Sequence, residues 1–295
     1  MKKTLFTGAG VAIVTPFNAD GTVNYDRFKE LIDRQIENST DAIIVAGTTG
    51  EAATLSTEEH IEVIKRGVEF VDRRVPVIAG CGSNDTKYNV ELASECKKAG
   101  SDALLMVTPY YNKTSQKGLI EHFTYIADRV EAPIILYNVP SRTGVNIEPE
   151  TYSILCKHDN IIATKEANGD ISALAKTISL CGDNLDVYSG NDDQIASFVA
   201  MGAKGVISVL SNVVPKVTHD IAQLGVDGDV KKSVELQFKY LKLCNDLFMD
   251  VNPIPVKEAL NMMGLDVGGY RLPLCEMTDS NKAKLEETLK LYNLI

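Results

Sequence analysis

Lys165 is the residue whose type and position could most directly carry chemistry. It lies in the segment 161–167, Ile-Ile-Ala-Thr-Lys-Glu-Ala, which otherwise has the composition of a buried strand. Strand alternation places Ile161, Ala163 and Lys165 on one face, so we expect the amine to lie among small apolar neighbours. Such surroundings favour the uncharged amine, and neutral lysine attacks carbonyl groups to form Schiff bases.

On its own, Lys165 has two interpretations. A lysine at a strand end commonly reaches solvent or pairs with a carboxylate, for which Glu166 and Glu51 are candidates. Schiff-base chemistry needs a nearby group that exchanges protons with the intermediate. Tyr137 lies one strand-helix unit before Lys165 and could serve, although a tyrosine at a strand end is more often a packing residue.

Further polar segments follow other apolar runs. The turn Gly47-Thr48-Thr49-Gly50 offers two hydroxyls and backbone N–H groups that could hold a carboxylate, but it lacks the lysine of a phosphate-binding loop. Arg142 follows the fifth run, and its planar fork would suit a second carboxylate. Tyr110 and Tyr111 are adjacent loop aromatics, which either pack on their own domain or contribute to a subunit interface.

Motifs for metal or organic cofactors are missing from the sequence. The four histidines are isolated and form no His-Glu-x-x-His pattern, and there is neither a Gly-x-Ser-x-Gly elbow nor a dinucleotide fingerprint. We therefore expect no metal and no organic cofactor.

The elements that must position these residues alternate between short Val/Ile-rich runs and amphipathic helical stretches, about eight times. This repeat predicts an α/β protein with a closed (β/α)8 TIM barrel, and an open doubly wound sheet is the alternative. We place the catalytic barrel domain at residues 1–224 and a C-terminal helical bundle at 225–295. The predicted strands are 10–17, 42–47, 75–80, 103–108, 133–138, 161–167, 186–190 and 206–210.

Composition excludes several classes of protein. The 295 residues are 44% hydrophobic and 24% charged, with a formal net charge of −10 and no basic stripe, which argues against nucleic-acid and membrane binding. Six widely spaced cysteines without a Cys-x-x-Cys pair indicate reduced thiols. The apolar segment near the start is broken by glycines, so we expect no signal peptide and a cytoplasmic location.

Together, the segments 47–51, 137–144, 165–166, 188–192 and 252–257 resemble the 4-hydroxy-tetrahydrodipicolinate synthase (dihydrodipicolinate synthase) family, of the N-acetylneuraminate lyase superfamily. The resemblance implies condensation of pyruvate with L-aspartate 4-semialdehyde in lysine and diaminopimelate biosynthesis, without a cofactor. It also implies a homo-oligomer, commonly a tetramer built as a dimer of dimers.

The resemblance assigns roles to residues of this chain. Lys165 would form the imine with pyruvate, and Tyr137, Thr48 and Tyr111 would relay protons, with Tyr111 reaching into a neighbouring subunit. The substrate-binding residues would be Thr49 for the pyruvate carboxylate, Arg142 for that of the semialdehyde, and Gly190 and Ile207 along the lysine pocket.

The family's lysine-feedback site is matched only in part. His60, Asn84 and Tyr110 fit the pattern of lysine-sensitive members, whereas Tyr88 stands where they carry a glutamate. Ala52 and Thr57 replace their serine and histidine. We therefore predict weak or absent inhibition by lysine.

Two other functions fit part of the same pattern. An N-acetylneuraminate lyase or a 2-keto-3-deoxy sugar-acid aldolase would keep Lys165 and Tyr137, because barrel and imine chemistry alone do not fix the substrate. Arg142 and the Tyr110-Tyr111 pair favour a short dicarboxylate-type product instead. A non-catalytic keto-acid sensor on the same barrel is the third possibility, and failure of borohydride to trap pyruvate would support it.

Overall fold

The strands form one closed parallel barrel in the order β1 to β8. The computed structural model describes residues 2–295, and within them β1 pairs with both β2 and β8, which closes the sheet. This confirms the (β/α)8 prediction over the open sheet. The strands are β1 Gly8–Ala12, β2 Ala42–Val45, β3 Val77–Gly80, β4 Ala103–Val107, β5 Ile134–Asn138, β6 Ile161–Glu166, β7 Asp186–Ser189 and β8 Gly205–Ser208.

Helices follow the strands and cover the barrel. Ser56 caps the second helix, accepting from the backbone N–H of Glu59, whose carboxylate accepts from the N–H of Ser56. The helices are α1 Tyr25–Glu37, α2 Thr57–Val71, α3 Thr86–Lys98, α4 Gln116–Ala127, α5 Pro140–Thr143, α6 Pro149–Leu155, α7 Ile171–Cys181, α8 Ile195–Ala200, α9 Pro215–Val226, α10 Val230–Asp246, α11 Ile254–Met262 and α12 Asp279–Leu291.

Apolar residues fill both sides of the strands, as expected for a parallel sheet with two covered faces. A large core lies between the barrel and the helices, and includes Ile43, Leu104 and Ile134. A second core fills the barrel itself, with members such as Tyr137 and Ile207. Polar side chains that enter this inner core are therefore surrounded by packed apolar atoms.

The first strand was predicted incorrectly. It ends at Ala12, not near Phe17, because the backbone of Val14 already donates to the side chain of Asn212 (3.2 Å). Pro16 has no N–H with which to continue the ladder. The apolar residues after Ala12 form a buried loop that contacts the C-terminal region. Because these residues are as hydrophobic as the strand, the prediction placed the end of the strand too late.

The sixth strand contains an irregularity that alternation did not predict. Its register against β5 shifts between the pairs Ile134–Ile161 and Ile135–Ala163. Ile161 therefore packs in the outer core, whereas Ala163 belongs to the inner one. The face assigned to Ala163 and Lys165 was right, and that assigned to Ile161 was wrong.

The C-terminal helices pack onto the barrel's outer layer and its upper rim. Helix α10 lies against α8 and α9, and α12 packs against α10 and α11. Among residues 2–295, none of these or the other helices combines the length and apolar character that a membrane crossing requires.

Candidate active site

A cavity of about 220 Å³ opens at the carboxyl end of the barrel strands, the end at which barrels of this type carry their active sites. Six of the eight predicted catalytic and substrate-binding residues line this cavity. Residues from distant parts of the sequence complete the lining. The predicted residues that line it are Thr48, Thr49, Tyr137, Arg142, Lys165 and Gly190.

Lys165 lies deep in this cavity at the end of β6. Its residue is 6% exposed, and its Nζ lies 4.4 Å from the centroid of the Tyr137 ring. Tyr137 is its register partner on β5, which explains why the two side chains meet. Among residues 2–295, no carboxylate lies within 4.0 Å of the Lys165 amine, so the salt-bridge interpretation is wrong.

The two carboxylates that could have paired with Lys165 are engaged elsewhere. Glu51 binds the ammonium of Lys257 at 2.7 Å. Glu166 points to the opposite face of β6, where Asn138 Nδ2 donates to both of its oxygens at 3.0 Å and Tyr152 Oη donates at 2.9 Å. Burial raises the pKa of Glu166 to about 7, although these donors act in the other direction.

Gly190 is required by the lysine stem. A Cβ at this position would lie 2.7 Å from Cβ of Ala167 and 3.2 Å from Cε of Lys165, closer than packed atoms tolerate. The N–H of Gly190 donates to the carbonyl of Glu166 at 2.7 Å, which fixes the approach. Ile207, also predicted along the lysine pocket, is fully buried in the barrel interior and does not line the cavity.

The Gly-Thr-Thr-Gly turn presents its two threonines differently. Thr48 is exposed to the cavity, whereas Thr49 is buried and its Oγ1 accepts from Nδ2 of Asn252 at 3.0 Å. Arg142 is exposed in α5, and its Nη2 donates to the backbone carbonyl of Asn252 at 3.2 Å. One residue of the C-terminal region therefore contacts both predicted carboxylate-binding residues.

Several cavity residues were missed by the sequence analysis. Asn252 was noted only as part of a C-terminal segment, and its Oδ1 is buried without a hydrogen-bond partner in the described part of the chain. Ser141 and Asn191 likewise lie in the segments 137–144 and 188–192 but were assigned no role. No local pattern marks Val209 and Phe248, which reach the cavity through the tertiary fold.

Tyr111 does not line the cavity of its own chain. Its side chain is 93% exposed, and its φ of +69° lies in the left-handed region that a tyrosine seldom adopts. Tyr110 is also exposed, at 41%. An exposed aromatic pair on a strained backbone has the character of a surface that another chain covers.

The residues predicted for lysine feedback are only partly brought together. Nδ2 of Asn84 donates to the carbonyl of Tyr110 at 3.1 Å, but His60 is buried with Nε2 2.6 Å from the carbonyl oxygen of Gly80. Burial lowers the pKa of His60. Tyr88 and Thr57, two of the residues that differ from those of lysine-sensitive family members, contact each other, with 2.8 Å between Tyr88 Oη and Thr57 Oγ1.

The described residues of the cavity do not include a metal-binding cluster or a cysteine. Within residues 2–295, no group of three or more His, Cys, Asp or Glu side chains is placed to bind a metal ion. All six cysteines are free thiols, and only Cys275 is exposed. The reactive groups of the cavity are therefore one amine, hydroxyls and a guanidinium.

A closed (β/α)8 barrel whose sixth strand ends in a buried lysine beside a tyrosine defines a lyase of the class I aldolase type. Within that class the chain belongs to the dihydrodipicolinate synthetase family, whose model matches residues 5–292.

Individual relatives agree over the whole chain. A 4-hydroxy-tetrahydrodipicolinate synthase from Acetivibrio thermocellus is 54% identical over 295 residues and covers 100% of both chains. A crystal structure of the chloride-inhibited dihydrodipicolinate synthase from Acinetobacter baumannii, complexed with pyruvate, is 42% identical, with a TM-score of 0.97 over 99% of this chain and 100% of that one. A dihydrodipicolinate synthase variant described as the first monomeric one is 41% identical, with a TM-score of 0.96 over 99% and 98%.

Proposed function

We propose that this enzyme condenses pyruvate with L-aspartate 4-semialdehyde to 4-hydroxy-tetrahydrodipicolinate, the first committed step of lysine and diaminopimelate biosynthesis, in the cytoplasm. The observation that carries the proposal is the position of Lys165, whose amine is buried beside Tyr137 with no carboxylate within 4.0 Å in the described chain. An amine that no carboxylate contacts, at the bottom of a cavity of about 220 Å³, is placed to attack a small keto acid.

The reaction follows from the chemistry of these groups. Nζ of Lys165 attacks the keto carbon of pyruvate, water leaves, and a cationic imine forms. The imine accepts the electron pair of a methyl C–H bond, so the methyl group loses a proton and becomes an enamine nucleophile. The enamine attacks the aldehyde carbon of the second substrate, whose oxygen takes up a proton. The second substrate's amine then displaces Lys165 from the imine carbon, which closes the product ring and frees the enzyme.

The cavity walls supply the binding and proton-transfer groups for this sequence. Tyr137, with its ring over the amine, is the proposed proton donor and acceptor at the imine, and Thr48 extends the relay towards Tyr111. Thr49 and its turn hold the pyruvate carboxylate. Arg142 lies at the exposed mouth of the cavity, where it binds the semialdehyde carboxylate.

Homo-oligomerisation completes the site in this proposal. Tyr111 is too exposed to act as a buried relay residue within its own chain, and a neighbouring subunit would cover it and receive its hydroxyl. We therefore infer at least a dimer, and from the family resemblance a tetramer built as a dimer of dimers. An ultracentrifuged species that is monomeric and fully active would contradict this assembly.

The test couples condensation of the two substrates to the NAD(P)H-dependent reductase that consumes the product. Lys165→Ala is expected to abolish turnover and borohydride trapping of pyruvate. Lys117→Ala, which changes a lysine with an 84% exposed side chain, should retain both. Trapping without condensation would overturn the choice of aldehyde and favour sugar-acid substrates. Absence of trapping would overturn the imine mechanism and favour a keto-acid sensor.

A further inference from the structure

Asp192 is a buried carboxylate that the proposed reaction does not use. It lies two residues beyond Gly190 at the end of β7 and is 3% exposed. Its Oδ2 accepts from the backbone N–H groups of Val209 (3.0 Å) and Leu210 (2.8 Å), whereas its Oδ1 has no hydrogen-bond partner in the described chain. Burying a carboxylate with one oxygen unpaired costs free energy, so a native protein that retains one is expected to use it.

The backbone of Asp192 is fixed from the C-terminal region. Nε2 of Gln237 on α10 donates to its carbonyl oxygen at 2.9 Å, and Sγ of Cys244 approaches the same oxygen at 3.7 Å. The carboxylate is therefore fixed between the ends of β7 and β8 and a helix outside the barrel. Such rigidity is typical of a charge that must keep its position while a reaction proceeds.

The Asp192 carboxylate lies directly behind the cavity wall, because Val209, whose N–H donates to Asp192 Oδ2 at 3.0 Å, lines the same cavity as Lys165. Burial raises the pKa of Asp192 above its usual value, and the two backbone donors and the charge of Lys165 offset only part of that rise. Gly190, whose Cα stands against the stem of Lys165, connects the two residues along the chain. The interaction acts through the low-dielectric interior and without contact, since no carboxylate lies within 4.0 Å of the amine among residues 2–295.

We propose that Asp192 is the fixed counter-charge of the cationic imine on Lys165, and that it acts through Lys165 rather than by touching substrate. This inference rests on the proposed Schiff-base mechanism. A neutral lysine becomes a cation when the imine is protonated, and that cation is the electron sink for methyl deprotonation. A preorganised negative charge nearby stabilises the cation without reorganisation at the moment of reaction.

Other titratable groups around the pair are placed differently. Tyr137 faces the amine from β5, and Cys244 faces Asp192 from α10. Tyr188 of β7 directs its hydroxyl to the carbonyl of Phe6 at 2.7 Å, towards the amino end of the barrel. Asp193, the next carboxylate along the chain, is exposed.

The test compares Asp192→Asn with Asp193→Asn, which removes the same charge one residue away at an exposed position. Asparagine retains an oxygen for the backbone donors of Val209 and Leu210 and loses only the charge. Each variant is saturated with pyruvate, and the rate of borohydride trapping is followed against pH. Loss of the methyl protons of pyruvate in deuterated water reports enamine formation without the second substrate.

For Asp192→Asn we expect the pH above which borohydride trapping declines to fall by about one unit, because the cationic imine loses its stabilising charge. The exchange of the pyruvate methyl protons should slow about tenfold. Asp193→Asn should match the wild type in both. Unchanged profiles in a folded Asp192→Asn variant would overturn the counter-charge. Absence of trapping in the wild type would instead overturn the Schiff-base proposal on which it rests.

Infrared difference spectra of the wild-type enzyme provide a measurement that does not depend on folding of Asp192→Asn. The spectra are recorded before and after addition of pyruvate, and Lys165→Ala, which cannot form the imine, serves as the blank. We expect the Asp192 carboxyl to be ionised once the cationic imine has formed. A carboxyl that remains protonated in the imine complex would overturn the proposal.

Discussion

Nζ of Lys257 lies 2.7 Å from Oε1 of Glu51, and the two side chains are 0% and 1% exposed. The ammonium also donates to the carbonyl of Thr15 at 3.1 Å and lies 4.3 Å from the centroid of the Phe17 ring. This ion pair joins α11 to the loop that follows β2. The C-terminal helices are therefore tied to the same turn that carries Thr49, and are part of the framework of the site.

Replacing Lys257 by methionine tests that connection. The change leaves the Glu51 carboxylate buried without its cation, so we expect the free energy of unfolding to fall by about 3 to 5 kcal/mol. Denaturant unfolding followed by circular dichroism measures it. The exposed pair Lys117–Glu121 is the control, and Lys117→Met should change stability by less than about 1 kcal/mol. Equal effects at the two positions would show that burial of the Lys257 pair has no energetic consequence.

Removal of the Tyr137 hydroxyl should reduce turnover strongly and leave the fold intact. Phenylalanine preserves the ring that packs 4.4 Å from the Lys165 amine but cannot transfer a proton. We expect kcat to fall by about 10² to 10⁴. Steady-state kinetics of Tyr137→Phe measure this, and near-normal turnover would remove the residue from the mechanism.

Tyr188 provides the matched control for this prediction. It is the register partner of Lys165 on β7, but its hydroxyl is buried against the carbonyl of Phe6. Tyr188→Phe should therefore lower stability by about 1 kcal/mol while kcat stays near the wild-type value. A loss of turnover as large as that of Tyr137→Phe would show that the hydroxyl at position 137 has no special role.

Features set by local pattern could be predicted from the sequence. Eight apolar runs indicated the barrel, and the spacing of Tyr137 and Lys165 placed both at strand ends that parallel pairing brings together. Hydrophobicity could not show where β1 ends, because the end is set by hydrogen bonds to a residue about 200 positions away. The Asn212 side chain donates to the carbonyl of Ala12 and accepts from the N–H of Val14. The irregularity in β6 likewise arises from register against its neighbour.

The rest of the cavity could not be predicted because it depends on long-range contacts. Asn252 meets Thr49 across 203 positions of the chain, and no periodicity or motif length encodes such a pair. Asp192 belongs to the segment 188–192 that carries the family resemblance, but its burial and its unpaired Oδ1 depend on the tertiary fold. Polar residues that reach the cavity through tertiary placement are the part of the site that local sequence patterns leave open.

Subunit complementation tests whether Tyr111 acts in a neighbouring site. In a hybrid dimer of Lys165→Ala and Tyr111→Phe subunits, one site would combine an intact Lys165 with an intact Tyr111 from the partner. We expect such purified hybrids to regain about half of wild-type activity, although each parent variant is nearly inactive. Hybrids no more active than the parents would place Tyr111 in the site of its own chain.

Inhibition by L-lysine is expected to be weak or absent. Tyr88 provides no carboxylate for the ligand's ammonium, and its hydroxyl already lies 2.8 Å from that of Thr57. A charge-assisted hydrogen bond contributes about 1.5 to 3 kcal/mol, so Tyr88→Glu should strengthen inhibition roughly ten- to a hundred-fold. The uncharged Tyr88→Gln should not. Micromolar inhibition of the unmodified enzyme in a steady-state assay would contradict the prediction.

Glu166 is expected to make stability depend on pH in the direction opposite to most carboxylates. Burial raises its pKa from 4.5 to about 7 in the folded state, so the native protein retains a proton that the unfolded chain has released. The free energy of unfolding therefore falls as pH rises from about 4.5 to 7, by about 3 kcal/mol from this group. Denaturant unfolding of wild type and Glu166→Gln across this range isolates the effect, since glutamine does not titrate. A wild-type minus variant difference that is flat, or that grows with pH, would show that the native environment does not raise the pKa of Glu166.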